Sequence, residues 1–282
     1  PAGPYTQPAP LPGCTTQFIH PTIGNHQLKP SFDNTGRYIA WMELAIFGST
    51  SLIYFKDLGL DQTFGTSDDG PNVFVPSPGT YNTNPSVNSN KLVWVSNNPT
   101  SSYLLQNINL CNIPCASTTT ILTTSSPLRQ YIDVDIDNNL IAYSFEDLAG
   151  IGGITLNSGV GIYNLNTGSN NIIYNNNIQQ PVSDVEINGD YVTFDDFDVI
   201  FLYRISTGTL TQITFGGPTP SQPKLSYFGS NIYFLNFDES WSTVNYNVVS
   251  YVINNGILQL AVGIPNAYFI GAHYDPLWGI ER

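Results

Sequence analysis

Asp184-Val185-Glu186-Ile187-Asn188-Gly189-Asp190-Tyr191-Val192-Thr193-Phe194 is followed by Tyr203-Arg204-Ile205-Ser206-Thr207-Gly208-Thr209-Leu210-Thr211-Gln212-Ile213-Thr214. β-Branched and aromatic residues alternate with polar ones, the period of a strand with one face toward a core. Asn188-Gly189 and Thr207-Gly208 interrupt that alternation, and glycine supplies the positive φ that a tight turn demands. Residues 184–214 therefore predict four antiparallel strands, each paired with the next.

The same unit recurs along the chain. Lys29-Pro30-Ser31-Phe32 leads to Tyr38-Ile39-Ala40-Trp41, and Asn84-Pro85-Ser86-Val87 leads to Leu92-Val93-Trp94-Val95. Asp133-Val134-Asp135-Ile136 precedes Leu140-Ile141-Ala142-Tyr143, and Gln222-Pro223-Lys224-Leu225 precedes Ile232-Tyr233-Phe234-Leu235. Second hairpins follow at Tyr163 to Gly168 with Ile172 to Tyr174, and at Tyr251 to Gly256 with Ile257 to Leu260. No stretch shows sustained helical periodicity with caps. Four short antiparallel strands repeating about every 40–55 residues predict an all-β chain, a single β-propeller of four-stranded blades.

The residues that repeat also carry a family likeness. A proline or aspartate tetrapeptide, an Asx/Gly turn and an Ile-Ala-aromatic strand come first. Turns such as Asn164-Leu165-Asn166-Thr167-Gly168 and an outer Thr211-Gln212-Ile213-Thr214 follow, and together they resemble the TolB-type propeller repeat. The resemblance spans roughly residues 15–262. It implies the fold and leaves the activity open, because such propellers serve many unrelated roles. Five repeats give five blades, with six the alternative. The organisation expected is a proline-rich arm at 1–14, a propeller at 15–263 and a closing segment at 264–282. Thr16-Gln17-Phe18-Ile19 matches an outer strand, which would let both ends of the chain close the last blade.

Composition narrows the function classes. Eight Lys+Arg stand against 21 Asp+Glu, a net charge of −13, yet charged residues make up only 10% of the chain, against roughly 25% in ordinary soluble domains. So few cations argue against a nucleic-acid partner, and no apolar run reaches the roughly 18–20 residues that span a bilayer. With 41% hydrophobic residues the chain has ample core material. Abundant Tyr, Asn and Thr, a start at Pro1 and a single Met42 read as a secreted or cell-surface protein whose leader has been removed. Cys111-Asn-Ile-Pro-Cys115 predicts a local disulfide. Cys14 is left either as a buried thiol or as a link to another subunit.

Two acidic clusters are candidate sites. Asp57-Leu-Gly-Leu-Asp61-Gln-Thr-Phe-Gly-Thr-Ser-Asp68-Asp69-Gly70 resembles a glycine-threaded insertion of some secreted propeller blades. Its four carboxylates, Asp57, Asp61, Asp68 and Asp69, could wrap Ca²⁺; the alternative is a solvated hairpin tip of Asx-turns. Asp133, Asp135, Asp184 and Glu186 fall in matching columns of successive repeats and, with Asp195, Asp196 and Asp198, resemble the acid/base pairs of glycosidases on five-bladed propellers. Against that, Lys29, Asn84 and Gln222 occupy the same column. There is no Gly-x-Ser-x-Gly elbow, and His20, His26 and His273 lie apart. Trp41 and Trp94 read as core, whereas Trp241 reads as an exposed contact for sugar or protein.

Residues 1–13 hold five prolines. A proline-rich segment loses little entropy on docking and suits an aromatic groove. Pro4, Tyr5, Pro8, Pro10 and Cys14 are therefore candidate contacts to an adjacent copy. The expected function is non-enzymatic: a structural or protein-interaction module, the subunit of an extracellular homopolymer such as a filament or layer. A carbohydrate-binding or glycoside-hydrolysing propeller is the competing class, which would make glycan the partner.

Overall fold

The computed structural model describes residues 25–45, 50–62, 65–97, 106–124, 129–149, 155–177, 181–197, 199–214, 220–225, 231–240, 243–253 and 257–262, with side chains chiefly up to Thr214. Among the described residues twenty strands form five four-stranded antiparallel sheets. Blade 1 holds β1 (Asn25–Phe32), β2 (Tyr38–Ala45), β3 (Ser51–Asp57) and β4 (Val73–Phe74). Blade 2 holds β5 (Asn82–Asn88), β6 (Lys91–Asn97), β7 (Gln106–Asn112) and β8 (Thr119–Thr123). Blade 3 holds β9 (Arg129–Asp137), β10 (Leu140–Leu148), β11 (Thr155–Asn164) and β12 (Asn170–Asn176). Blade 4 holds β13 (Val182–Asn188), β14 (Tyr191–Asp196), β15 (Ile200–Arg204) and β16 (Thr209–Gln212). Blade 5 holds β17 (Pro220–Leu225), β18 (Asn231–Ser240), β19 (Thr243–Val252) and β20 (Ile257–Val262).

In every blade the strands lie in chain order, so the first is innermost and the fourth is the outer edge. The outer strand of blade 5 is thus β20 itself. The match of residues 16–19 to an outer strand lies outside the described residues, as do the arm and the closing segment.

The prolines of the repeat have a structural reason. Lys29 and Pro30 together stand opposite Trp41, Asn84 and Pro85 opposite Trp94, and Gln222 and Pro223 opposite Phe234, because the ladder slips by one residue there. A β-bulge leaves a residue unpaired, so a proline without an N–H is tolerated at that point. Lys29, Asn84 and Asp184 enter these bulges with φ of 52°, 50° and 50°. Blade 3 has no proline in its tetrapeptide, and its slip comes one residue earlier, between Tyr131 and Asp133.

The core lies between blades. Ala40, Met42, Ile53 and Phe55 of blade 1 pack on Val87, Leu92 and Trp94 of blade 2. Val93, Val95 and Ile108 meet Val134, Ile136 and Tyr143, and Ala142, Val160 and Ile162 meet Val185, Ile187 and Phe194. A sheet covered on both faces needs continuous apolar runs, and Leu92-Val93-Trp94-Val95 is such a run, fully buried. Each large apolar side chain among these contributes about 1.5–3 kcal/mol on burial. Gly161 is fixed by packing: a Cβ there would lie 2.3 Å from the ring of Tyr143, which is itself buried.

Cys111 and Cys115 form the expected disulfide, Cα atoms 5.0 Å apart, closing the turn after β7. Both are buried against Trp94 and Leu92. Among the described residues no helix is long and apolar enough to cross a membrane.

Candidate functional site: the acidic channel mouth

The innermost strands β1, β5, β9 and β13 surround a cavity of about 580 Å³. Because the four repeats are equivalent, the columns that match in sequence meet in space. Asp133, Asp135, Asp184 and Glu186 line this one cavity, joined by Asp33, Asp137 and Lys29. Phe32, 60% exposed, also lines it. Asp195 and Asp196 do not line it. They lie at the far end of β14, where buried Asp196 accepts hydrogen bonds from Tyr174 and Asn176 of blade 3. Asp198 lies outside the described residues.

Much of the acidic lining holds the blades to one another. In three tetrapeptides the third residue, Ser31, Ser86 or Asp135, offers a side-chain oxygen to the next blade. Val87 N–H donates to Ser31 Oγ at 3.2 Å, Ile136 N–H to Ser86 Oγ at 3.3 Å, and Ile187 N–H to Asp135 Oδ2 at 2.7 Å. Ser86 also donates its hydroxyl to Asp135 Oδ1. One carboxylate of blade 3 is thereby bound to blades 2 and 4 together. Two residues further along β9, Asp137 repeats the arrangement, accepting from Asn88 at 3.0 Å and from the Gly189 N–H at 2.7 Å. Asn84 reaches the carbonyl of Ile132. Hydrogen bonds to a charged acceptor contribute about 1.5–3 kcal/mol each, more than neutral ones. Sequence reading picked out Asp135 in this column and passed over Ser31 and Ser86. What sequence reasoning missed was its role as an inter-blade acceptor, together with the contribution of Asn88 and Asp137.

The acidic loop lies between β3 and β4, and its carboxylates divide into separate groups. Asp57 faces the Arg37 guanidinium with two parallel bonds, 2.9 and 2.8 Å, which hold its carboxyl below the usual carboxylate range. Asp69 pairs with Lys56 at 3.3 Å and accepts from the Gly65 N–H. Asp61 and Asp68 share the hydroxyl of Thr66, and Asp68 also accepts from the Leu60 N–H at 2.9 Å. Gly59 sits directly under Asp68, with room for no Cβ. Among the described residues no group of three or more His, Cys, Asp or Glu could hold a metal ion.

A third acidic pair stands on β10. Asp147 is bound by Arg129 at 2.7 and 2.8 Å, which lowers its pKa, while the guanidinium covers the Phe145 ring at 4.1 Å. Beside it Glu146 is pushed up by burial, although Thr155 donates a hydroxyl to it. Trp41 and Trp94 are buried, as their strand positions predict. Pro4, Tyr5, Pro8, Pro10, Cys14 and Trp241 lie outside the described residues, and the side chain of His26 is likewise not described.

No protein-family model matches the chain, and no curated protein matches it. Solved structures do. A putative TolB from Agrobacterium tumefaciens superimposes with a TM-score of 0.56 at 11% identity, over 83% of this chain and 80% of its own. The fold is a TolB-like β-propeller. A nidogen/laminin complex gives 0.56 at 11% identity, covering 84% and 79%. An oligogalacturonate lyase from Vibrio parahaemolyticus gives 0.58 at 10% identity, covering 86% and 66%. At such identities the likeness is one of fold. These neighbours include an enzyme and proteins that are not named as enzymes.

Proposed function

We propose that this propeller is a non-enzymatic structural or protein-interaction module that associates with copies of itself at the cell surface or outside the cell. The observation that supports this reading is the use of the channel carboxylates. Asp135 and Asp137 each accept hydrogen bonds from blades on both sides, so their oxygens brace the ring. A general acid and a nucleophile need carboxylates whose lone pairs face a substrate. The test is the oligomeric state of the purified chain, by sedimentation velocity and electron microscopy over a range of concentrations. Ordered polymers support the reading; a chain that stays monomeric throughout defeats it.

A second reading has an observation of its own. The acidic columns do converge on one cavity, with exposed Phe32 in its lining, and a sugar ring stacked on an aromatic beside carboxylates would fit that arrangement. Calorimetry against acidic and neutral oligosaccharides tests it. Phe32→Ala should abolish any binding found, and release of reducing sugar would move the chain to the enzymes.

A further inference from the structure

The outer edge of a propeller blade is a row of unpaired backbone N–H and C=O groups, and proteins usually guard such edges with Lys, other charges or Pro. This chain does not. β4 is Val-Phe, β8 is Thr-Thr-Ile-Leu-Thr, β12 is Asn-Asn-Ile-Ile-Tyr-Asn-Asn, β16 is Thr-Leu-Thr-Gln and β20 is Ile-Leu-Gln-Leu-Ala-Val. None contains Asp, Glu, Lys, Arg or Pro. The lack of charge extends around each strand: residues 70–90, 92–128, 148–183, 205–223 and 240–274 carry no Asp, Glu, Lys or Arg. The charges of the chain fall outside these windows, chiefly on the two inner strands of each blade and on the turns. Hence in a chain of net charge −13 the outer strands themselves carry no charge, and the exposed Arg204 opposite Thr209 of β16 is paired with Asp190.

Two adjacent rims, those of blades 3 and 4, combine an exposed aliphatic side chain with at least four outer-strand residues. β12 is the longest described outer strand and exposes Ile172 at 47%; β16 exposes Leu210 at 38%. A bulge divides β12 at Ile173, where the ladder slips between Val160 and Gly161, but β16 keeps its register from Thr209 to Gln212. The absence of charge on these strands says which partner fits. Two copies of an acidic chain repel wherever acidic faces meet, and outer strands without Asp or Glu set no carboxylates of their own opposite each other. An edge strand is also self-complementary, since backbone groups pair with any other edge.

We propose that the outer edges of blades 3 and 4, β12 and β16, are the surface on which one copy of this chain pairs with another. The proposal rests on the self-assembly reading above and names its contact. The experiment introduces the missing guards: Ile172→Lys, Leu210→Lys and the double variant, compared with the wild type by sedimentation velocity and electron microscopy. Asn34→Lys, on the exposed turn at the channel mouth, is the control of equal charge. The double variant should need at least about tenfold more protein to assemble, with each single variant between it and the wild type. The control should assemble as the wild type does. A double variant that assembles at the wild-type concentration overturns the rim contact and leaves self-assembly standing; a wild type that stays monomeric overturns both. Should the double variant fail to fold by circular dichroism, Asn171→Lys with Thr211→Lys, at exposed polar positions of the same strands, decides by the same two outcomes.

Discussion

The loop at residues 57–70 and the inner strand at residues 133–137 are both acidic in sequence, and the structure treats them in opposite ways. In the loop each carboxylate is answered within its own blade, by Arg37, by Lys56, by Thr66 or by a backbone amide a few residues away. In the inner strand Asp133 and Asp137 have neighbouring donors too, but Asp135 and Asp137 also draw donors from two other blades, at sequence separations of 49 to 52 residues. The first is a local device that shapes one hairpin. The second is a brace that ties three blades, so acidity alone says little until the partners are known.

The comparison breaks most sharply at Asp135. Asp135→Ala strands the Ile187 N–H and the Ser86 hydroxyl, each an unsatisfied donor in a partly buried seam, at about 2–4 kcal/mol in total. At roughly 2–4 °C per kcal/mol the melting temperature should fall by about 4–16 °C. Asp137→Ala should act alike, and the double variant should lose more than either. If calorimetry shows Asp135→Ala melting as the wild type does, the brace carries no stability.

Arg37→Gln removes the cation from Asp57 in the loop, and its effect on melting should be clearly smaller, because the guanidinium is solvent-exposed and the pair is screened. Wild type and Arg37→Gln should also converge at about 1 M salt, whereas Asp135→Ala should stay apart from the wild type there. A salt-independent difference for Arg37→Gln would place the loop in the same class as the brace. Calcium sharpens the same contrast. With Asp57 and Asp69 already paired to cations and Asp61 and Asp68 gathered on Thr66, millimolar calcium should leave the melting temperature unchanged, as should a chelator. A rise with calcium would show that the loop rearranges around the ion its spacing suggests.

The fold was legible because a propeller writes itself as a period. The tetrapeptide at Asp184 to Ile187 and its four relatives each became part of an innermost strand, and the aromatic-bearing continuations each became the next one out. The prolines at 30, 85 and 223, read alone, are strand breakers, but they sit at bulges opposite Trp41, Trp94 and Phe234. The site was half legible. Asp133, Asp135, Asp184 and Glu186, which fall in matching columns, line one cavity. The columns did not foretell that Asp195 and Asp196 would stay off it: they stand opposite Ser183 and Val182, beside Asp184, but on β14, one strand out from the innermost β13. Nor could sequence show that Ser31 and Ser86 act in the same row as Asp135. A hydroxyl and a carboxylate look unlike, yet both accept the N–H of the neighbouring blade.

Acidity on β10 gives the smallest effect and a change of sign within two adjacent residues. Asp147, like Asp57 in the loop, has its pKa lowered by an arginine, so the folded state binds fewer protons than the unfolded one. That stability is complete above the ordinary carboxylate value near pH 4 and is lost as pH falls through the lower folded value. Glu146 is raised by burial, so its folded state binds more protons, and its contribution declines as pH rises through the window above about pH 4. Glu146→Gln removes the buried charge and keeps an oxygen for the Thr155 hydroxyl. The variant should therefore melt slightly above the wild type at pH 7, and the gain should shrink toward zero by about pH 4, where Glu146 is protonated in both states. A gain of the same size at both pH values would mean that amide packing, and not relief of a buried charge, is the cause.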